Sequence, residues 1–217
     1  GDLEVVIASD EVYVWHHDGS ELIDGDDNSQ TTGPLTGVGG QFEPAGVEGL
    51  TFEHHRVVLQ VSAQFAASNA GRSEPVLLHA QLFRPPGQGP FPAVVLMHGC
   101  GGWLPAVQRT LQSYARFLVE RQFAVLNLDS FGPRKRSGGM VCESLQLLTE
   151  ARSYRVYDAF DALGYMKSLD FVDADNVFLV GQSNGGSVAI TAALRGDPRK
   201  NGRTEAAFRA VIAFYPW

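Results

Sequence analysis

Long apolar runs, clustered basic charge and cysteine are all scarce in this sequence. No stretch approaches the roughly 20 apolar residues that a bilayer-spanning helix needs. The strongest runs, such as Ala93 to Met97, have the length of a strand, so no membrane span is expected. Lys and Arg total 17 against 24 Asp and Glu, a formal net charge of −7. Attraction to phosphate needs a basic face, and the one dense basic run, Arg134-Lys135-Arg136, reads as a solvated loop. Nucleic acid is therefore not an expected partner. Two cysteines, Cys100 and Cys142, permit one disulfide and require none. No Cys/His spacing suggests zinc. Asp24, Asp26 and Asn28 match the first three positions of a calcium loop. However, Ser29 stands where its sharp-turn glycine belongs and Leu35 where its bidentate glutamate belongs. Neither a metal nor another cofactor is expected.

What is present suits one soluble domain: 217 residues, 44% of them hydrophobic and 19% charged. Leu3 to Trp15 is rich in β-branched and aromatic residues and reads as strand. Asp18 to Gly40 is crowded with Gly, Asp, Asn, Ser and Thr, with too little apolar material to pack. Residues 1–46 are thus expected to be an N-terminal extension with a flexible acidic, Gly-rich linker, and 47–217 the main domain. In that domain Val57, Leu59 and Val61 alternate with polar or small neighbours, and Val76 to Phe83 looks similar, which predicts antiparallel strands with one wet face. Beyond a Pro/Gly turn the periods alternate. Ala93–Met97, Phe123–Leu128, Val177–Val180 and Ala210–Phe214 are continuous apolar runs of the central-strand type. Between them, Val107, Leu111, Ala115 and Leu118, then Val156, Phe160, Leu163 and Met166, and then Ser187–Leu194 read as helices. Pro105 suits a first helical turn. The class is α/β: a mostly parallel central sheet with helices on both faces, and active sites of such sheets lie at the carboxyl ends of strands.

The informative residues fall at those ends. Gly181-Gln182-Ser183-Asn184-Gly185 fits G-x-S-x-G and sits between a predicted strand and a predicted helix. In that context the serine occupies a sharp, strained turn, and its neighbouring glycines leave room where a Cβ would clash. Ser183 is the candidate nucleophile; a plain glycine turn with a capping serine is the alternative. His98-Gly99-Cys100-Gly101-Gly102 follows the Ala93–Met97 strand and can turn backbone amides toward a developing oxyanion. The candidate donors are the amides of Cys100 and of Asn184. His98 itself is expected to brace the loop and not to act as a base. Asp129-Ser130-Phe131-Gly132-Pro133-Arg134 closes the Phe123–Leu128 strand.

Together HGCGG, DSFGPR, a cysteine shortly after, and GQSNGG resemble the dienelactone hydrolase-like branch of the α/β-hydrolases, over roughly residues 75 to 217. Tyr215-Pro216 after the last strand is also similar to that family. The resemblance implies hydrolysis of a small-molecule carboxylic ester or lactone through an acyl-enzyme. Arg134 would then meet a substrate carboxylate in a bidentate contact, with bracing of its own loop as the alternative. Cys100 and Cys142 fall in two loops on the same predicted edge, where a disulfide and two free thiols are both open. Cys100 as nucleophile is the weaker alternative, because the elbow position holds serine.

One further lack stands against this pattern. In the fold it resembles, the acid and then the histidine follow the nucleophile, yet no histidine follows Ser183, and Asp197 is the only later aspartate. The sheet is expected to lack its C-terminal strands and helix, with acid and base supplied beyond Trp217 or by a second chain. A catalytically inactive binding protein and an acyltransferase are the competing functions. The start at Gly1 and the cysteine pair lean toward a periplasmic or secreted protein.

Overall fold

The computed structural model describes residues 3–8, 11–16, 59–68, 70, 74–136, 139–199 and 207–217, with the first two segments and Leu59 described by backbone alone. The Asp18–Gly40 loop with its acidic positions, His17, His54 and His55, and the 46/47 boundary lie outside the described residues. The described strands are β1 (Leu3–Ala8), β2 (Glu11–His16), β3 (Leu59–Ala67), β4 (Val76–Arg84), β5 (Phe91–Met97), β6 (Ala124–Asp129), β7 (Val172–Gln182) and β8 (Ala210–Phe214). They form one sheet in the order β2-β1-β8-β7-β5-β6-β4-β3. The central four, β6, β5, β7 and β8, are mutually parallel, and β4 and β3 extend the sheet antiparallel beyond β6.

The helices α1 (Pro105–Glu120), α2 (Leu145–Lys167) and α3 (Asn184–Arg195) occupy both faces. Val94 and Leu96 of β5 pack with Leu111, Ala115 and Val119 of α1. Ala93, Val95 and Met97 point the other way, into a cluster with Val156, Ala159 and Leu163 of α2 and Val188 and Ala192 of α3. A strand covered on both sides has no polar face, which is why its sequence is a continuous apolar run. At the sheet's far edge the alternation returns: Ala63 and Ala67 of β3 are buried, while Ser62, Gln64 and Ala66 are exposed. Pro105 sits in the first turn of α1, where its missing N–H costs nothing. Ser144 caps α2 by accepting a hydrogen bond from the Leu147 amide at 3.2 Å.

Two expectations change. Leu3 to Trp15 is not one strand but a hairpin, β1 pairing antiparallel with β2. The edge beside β8, where the C-terminal strands expected to be missing would pair, is instead paired antiparallel with β1 from Glu4↔Phe214 to Ala8↔Ala210. Among the described residues no helix is long and apolar enough to cross a membrane.

Candidate active site

The parallel strands β5, β6 and β7 deliver three loops to one end of the sheet, and Ser183 stands at the tightest. It links β7 to α3 with φ 53° and ψ −119°, a backbone region that a non-glycine residue rarely occupies. The geometry explains its flanking glycines. A Cβ on Gly181 would lie 2.1 Å from the Gly185 carbonyl oxygen, and one on Gly185 would lie 2.4 Å from that of Met97. Neither position admits a side chain. The Ser183 amide donates to Phe214 O of β8 at 2.8 Å, and its carbonyl accepts from the Ser187 amide at 3.0 Å, opening α3. Asn184 is then the first helical residue, where an amide has no intrahelical acceptor and the helix dipole is positive. The side chain of Ser183 is half-buried, whereas Asn184 is fully buried.

The glycine loop after β5 abuts this turn: a Cβ on Gly99 would sit 3.2 Å from Ser183 Cβ and 3.7 Å from its Oγ. His98 at the head of the loop is fully buried. Its Nδ1 lies 2.7 Å from Gly99 O, and the Ser130 amide points at its Nε2 from 3.4 Å. These contacts assign the proton to Nδ1, with Nε2 accepting. Burial, followed by the nearby charge of Arg155, holds the ring well below the usual histidine pKa, so it is neutral. With both nitrogens committed, His98 braces the loop. The second anchor is covalent: Cys100 and Cys142 form a disulfide across 5.1 Å between Cα atoms, joining the glycine loop to the 3-10 turn Met140–Glu143 before α2.

The loop after β6 is folded by its own aspartate. Asp129 Oδ1 accepts from the amides of Phe131 at 3.0 Å and Gly132 at 2.9 Å. A Cβ on Gly132 would lie 2.3 Å from Asp129 Oδ2, so only glycine lets the carboxylate turn inward. Arg134 is expected from the sequence to offer its fork to substrate. Instead its Nη1 and Nη2 pair with Asp158 of α2 at 2.9 and 2.7 Å, and Nη1 also donates to Ser130 O at 2.8 Å. The guanidinium lies 4.3 Å from the centre of the Tyr154 ring. Burial pushes the Asp158 carboxyl upward against the pull of Arg134. The bidentate contact is thus spent inside the protein, which is the bracing alternative.

Sequence reasoning missed the residue that lies behind both loops. Arg155 of α2 is fully buried; it donates through Nη2 to His98 O at 2.6 Å and through Nη1 to Asn184 Oδ1 at 2.8 Å. Its one available signal was a charged residue among Val156, Phe160 and Leu163 in a helix otherwise rich in apolar side chains. Asp197 is tied to Arg199, which also reaches Asp161, so it does not face Ser183 as an acid. The two histidines with described side chains are His98 and the exposed His79 of β4. Among the described residues no cluster of three His, Cys, Asp or Glu could hold a metal.

Sequence comparison matches no family model and no curated protein. The esterase Est22 superposes with a TM-score of 0.50 at 15% identity, over 69% of this chain and 42% of its own. The chain has the α/β-hydrolase fold. That fold accounts for the strand order β3-β4-β6-β5-β7-β8 and for the serine turn after β7. A dienelactone hydrolase-like promiscuous phosphotriesterase from metagenomic libraries is similar at TM-score 0.49 and 20% identity, over 64% of this chain and 56% of that one. The α/β hydrolase GrgF from a Penicillium species is similar at 0.46 and 20%, over 62% and 41%. Across the first three solved structures this α/β-hydrolase-fold chain spans 53%, 56% and 41% of their length, about half.

Proposed function

We propose that the chain carries the nucleophile and oxyanion-binding half of a serine hydrolase that cleaves a small-molecule carboxylic ester or lactone, of the dienelactone hydrolase-like kind. The observation that carries this reading is the backbone of Ser183, strained at φ 53° between two glycines that tolerate no Cβ and set against Gly99. Strain of this kind persists where the surrounding structure over-determines it and gathers at reactive centres.

In this mechanism Ser183 Oγ loses its proton to a base and bonds to the substrate carbonyl carbon. The carbonyl electron pair moves to oxygen, and the amides of Cys100 and Asn184 hold that charge. Collapse restores the carbonyl, breaks the bond to the alcohol oxygen and sends the base's proton to that leaving group. Water then repeats the sequence on the acyl-enzyme. Since His98 is committed to its loop, we place the base and its acid on polypeptide outside the 217 residues, continuous with them or on a second chain. In this reading Arg134, with its fork on Asp158, braces the loop after β6.

The test is intact mass of the full-length protein before and after a serine-directed fluorophosphonate, with peptide mapping. A single adduct on Ser183, absent from Ser183→Ala, supports the hydrolase, and that variant loses ester turnover by at least about 10⁴-fold. No adduct overturns it in favour of a binding protein on the same fold, the reading that the committed His98 otherwise favours.

A further inference from the structure

We propose that Arg155 is the positioning residue of the oxyanion site: its one guanidinium clamps the loop after β5 to the residue following Ser183 and so sets the aim of both stabilising amides. The inference rests on the serine hydrolase reading and deepens it.

A peptide unit is planar, so a carbonyl held in one direction fixes the following N–H in the opposite one. Two peptide units matter here. The Gly99–Cys100 peptide is oriented by Gly99 O, which receives the His98 Nδ1 proton at 2.7 Å and the Gly102 amide at 3.2 Å. The Cys100 N–H must therefore point away from His98. The Ser183–Asn184 peptide is oriented by Ser183 O, held by the Ser187 amide at 3.0 Å, so the Asn184 N–H points out of the helix start. Each amide is aimed locally, but stabilising one oxygen requires both to converge on one point. The pairing of β5 with β7, Met97 opposite Gly181, and the close approach of Gly99 to Ser183 bring the two loops side by side.

Arg155 ties them together. Nη2 takes the His98 carbonyl at 2.6 Å and Nη1 takes Asn184 Oδ1 at 2.8 Å, while Asn184 Nδ2 donates to Leu148 O of α2 at 3.0 Å. Both loops are thus referenced to one rigid helix through one planar group. The Phe131 ring lies 4.8 Å from its Cζ, closing the other side. The choice of residue argues for function. Among the described residues Arg155 makes no ion pair; its hydrogen bonds go to two neutral oxygens, Nη2 also lies 3.5 Å from His98 Nδ1, and its Nε has no partner although the residue is fully buried. Burial disfavours the charged guanidinium, and the nearby carboxylates of Asp158 and Asp129 offset that only in part. An ammonium in its place keeps the charge but not the fork that reaches two acceptors at once.

The experiment measures p-nitrophenyl acetate hydrolysis and the rate of fluorophosphonate labelling of the full-length protein and three variants: Arg155→Lys, Arg155→Met and Asn184→Ala. The last removes the acceptor and leaves the Asn184 amide in place, so the test survives if an Arg155 variant fails to fold. Displacing an oxyanion donor predicts a fall in kcat of about 10- to 100-fold, with KM within about twofold of wild type and labelling slowed in step. Arg155→Lys retains more activity than Arg155→Met. Folded variants with wild-type kcat, or with a loss confined to KM, overturn the positioning role while leaving the hydrolase standing. If wild-type Ser183 takes no label, the hydrolase reading falls and the positioning role falls with it.

Discussion

β5 and the loop that follows it are held by different physics. Along the strand, Val95 and Met97 lie in a cluster of aliphatic and aromatic side chains contributed by six strands and two helices. No single contact there is unique, since dispersion and burial add over many neighbours. Immediately past Met97 the chain enters a layer in which His98, Asn127, Asp129, Ser130, Arg155, Asp158 and Asn184 are all buried. Much of its order comes from bonds of fixed direction: the side chains of His98, Asp129, Arg155, Asp158 and Asn184 each have a small number of specific partners. The difference teaches where tolerance to change should lie. The apolar layer can be repacked with loss of stability alone, whereas the polar layer loses geometry when one partner goes.

The sharpest way to break this comparison is the Arg134–Asp158 pair. Arg134→Met strands a buried carboxylate and is expected to cost about 3–5 kcal/mol in urea unfolding. The double variant Arg134→Met with Asp158→Leu should recover most of that loss; if it does not, the layer is not governed by polar pairing. Next comes the apolar side. Leu126, fully buried on β6 within the larger cluster, should lose about 3 kcal/mol on truncation to Ala by the same measurement. The rate of Ser183 labelling should be unchanged wherever that variant is folded, and a slowed rate would mean the two layers are coupled. The smallest effect concerns His98. Its pKa is lowered in the folded chain, so below about pH 6.5 the unfolded chain takes up a proton that the folded one refuses. The resulting stability is present above about pH 6.5 and is lost below it, by at most about 1.4 kcal/mol per pH unit. Urea midpoints between about pH 7.5 and 5.5 should show this slope, reduced in His98→Gln.

Most of the central architecture was legible because it is local. β8 has the bounds of the run Ala210–Phe214, and the heart of α2 follows Val156, Phe160, Leu163 and Met166. β7 begins at Val172, earlier than the apolar Val177–Val180, because its first half carries Asp173 and Asp175 on an exposed stretch that no hydrophobic pattern marks. The pairing of β1 with β8 joins residues about 200 positions apart, and no short-range periodicity encodes such a partner. The serine turn and the glycine loop announced themselves because steric demands restrict them to glycine at fixed offsets. Arg155 did not. A lone arginine in a sequence reads as a solvated side chain, and its burial exists only once α2 is laid beneath two loops from elsewhere in the chain.

The disulfide between Cys100 and Cys142 has a consequence for chemical labelling. These are the two cysteines of the sequence, and both sulfurs are committed to one bond. Maleimides and iodoacetamide therefore find no thiol in these 217 residues when the bond is formed. Electrophiles with a preference for soft thiols should leave these residues unmarked until the bond is reduced. A covalent probe that attaches within these residues then carries no thiol background to subtract.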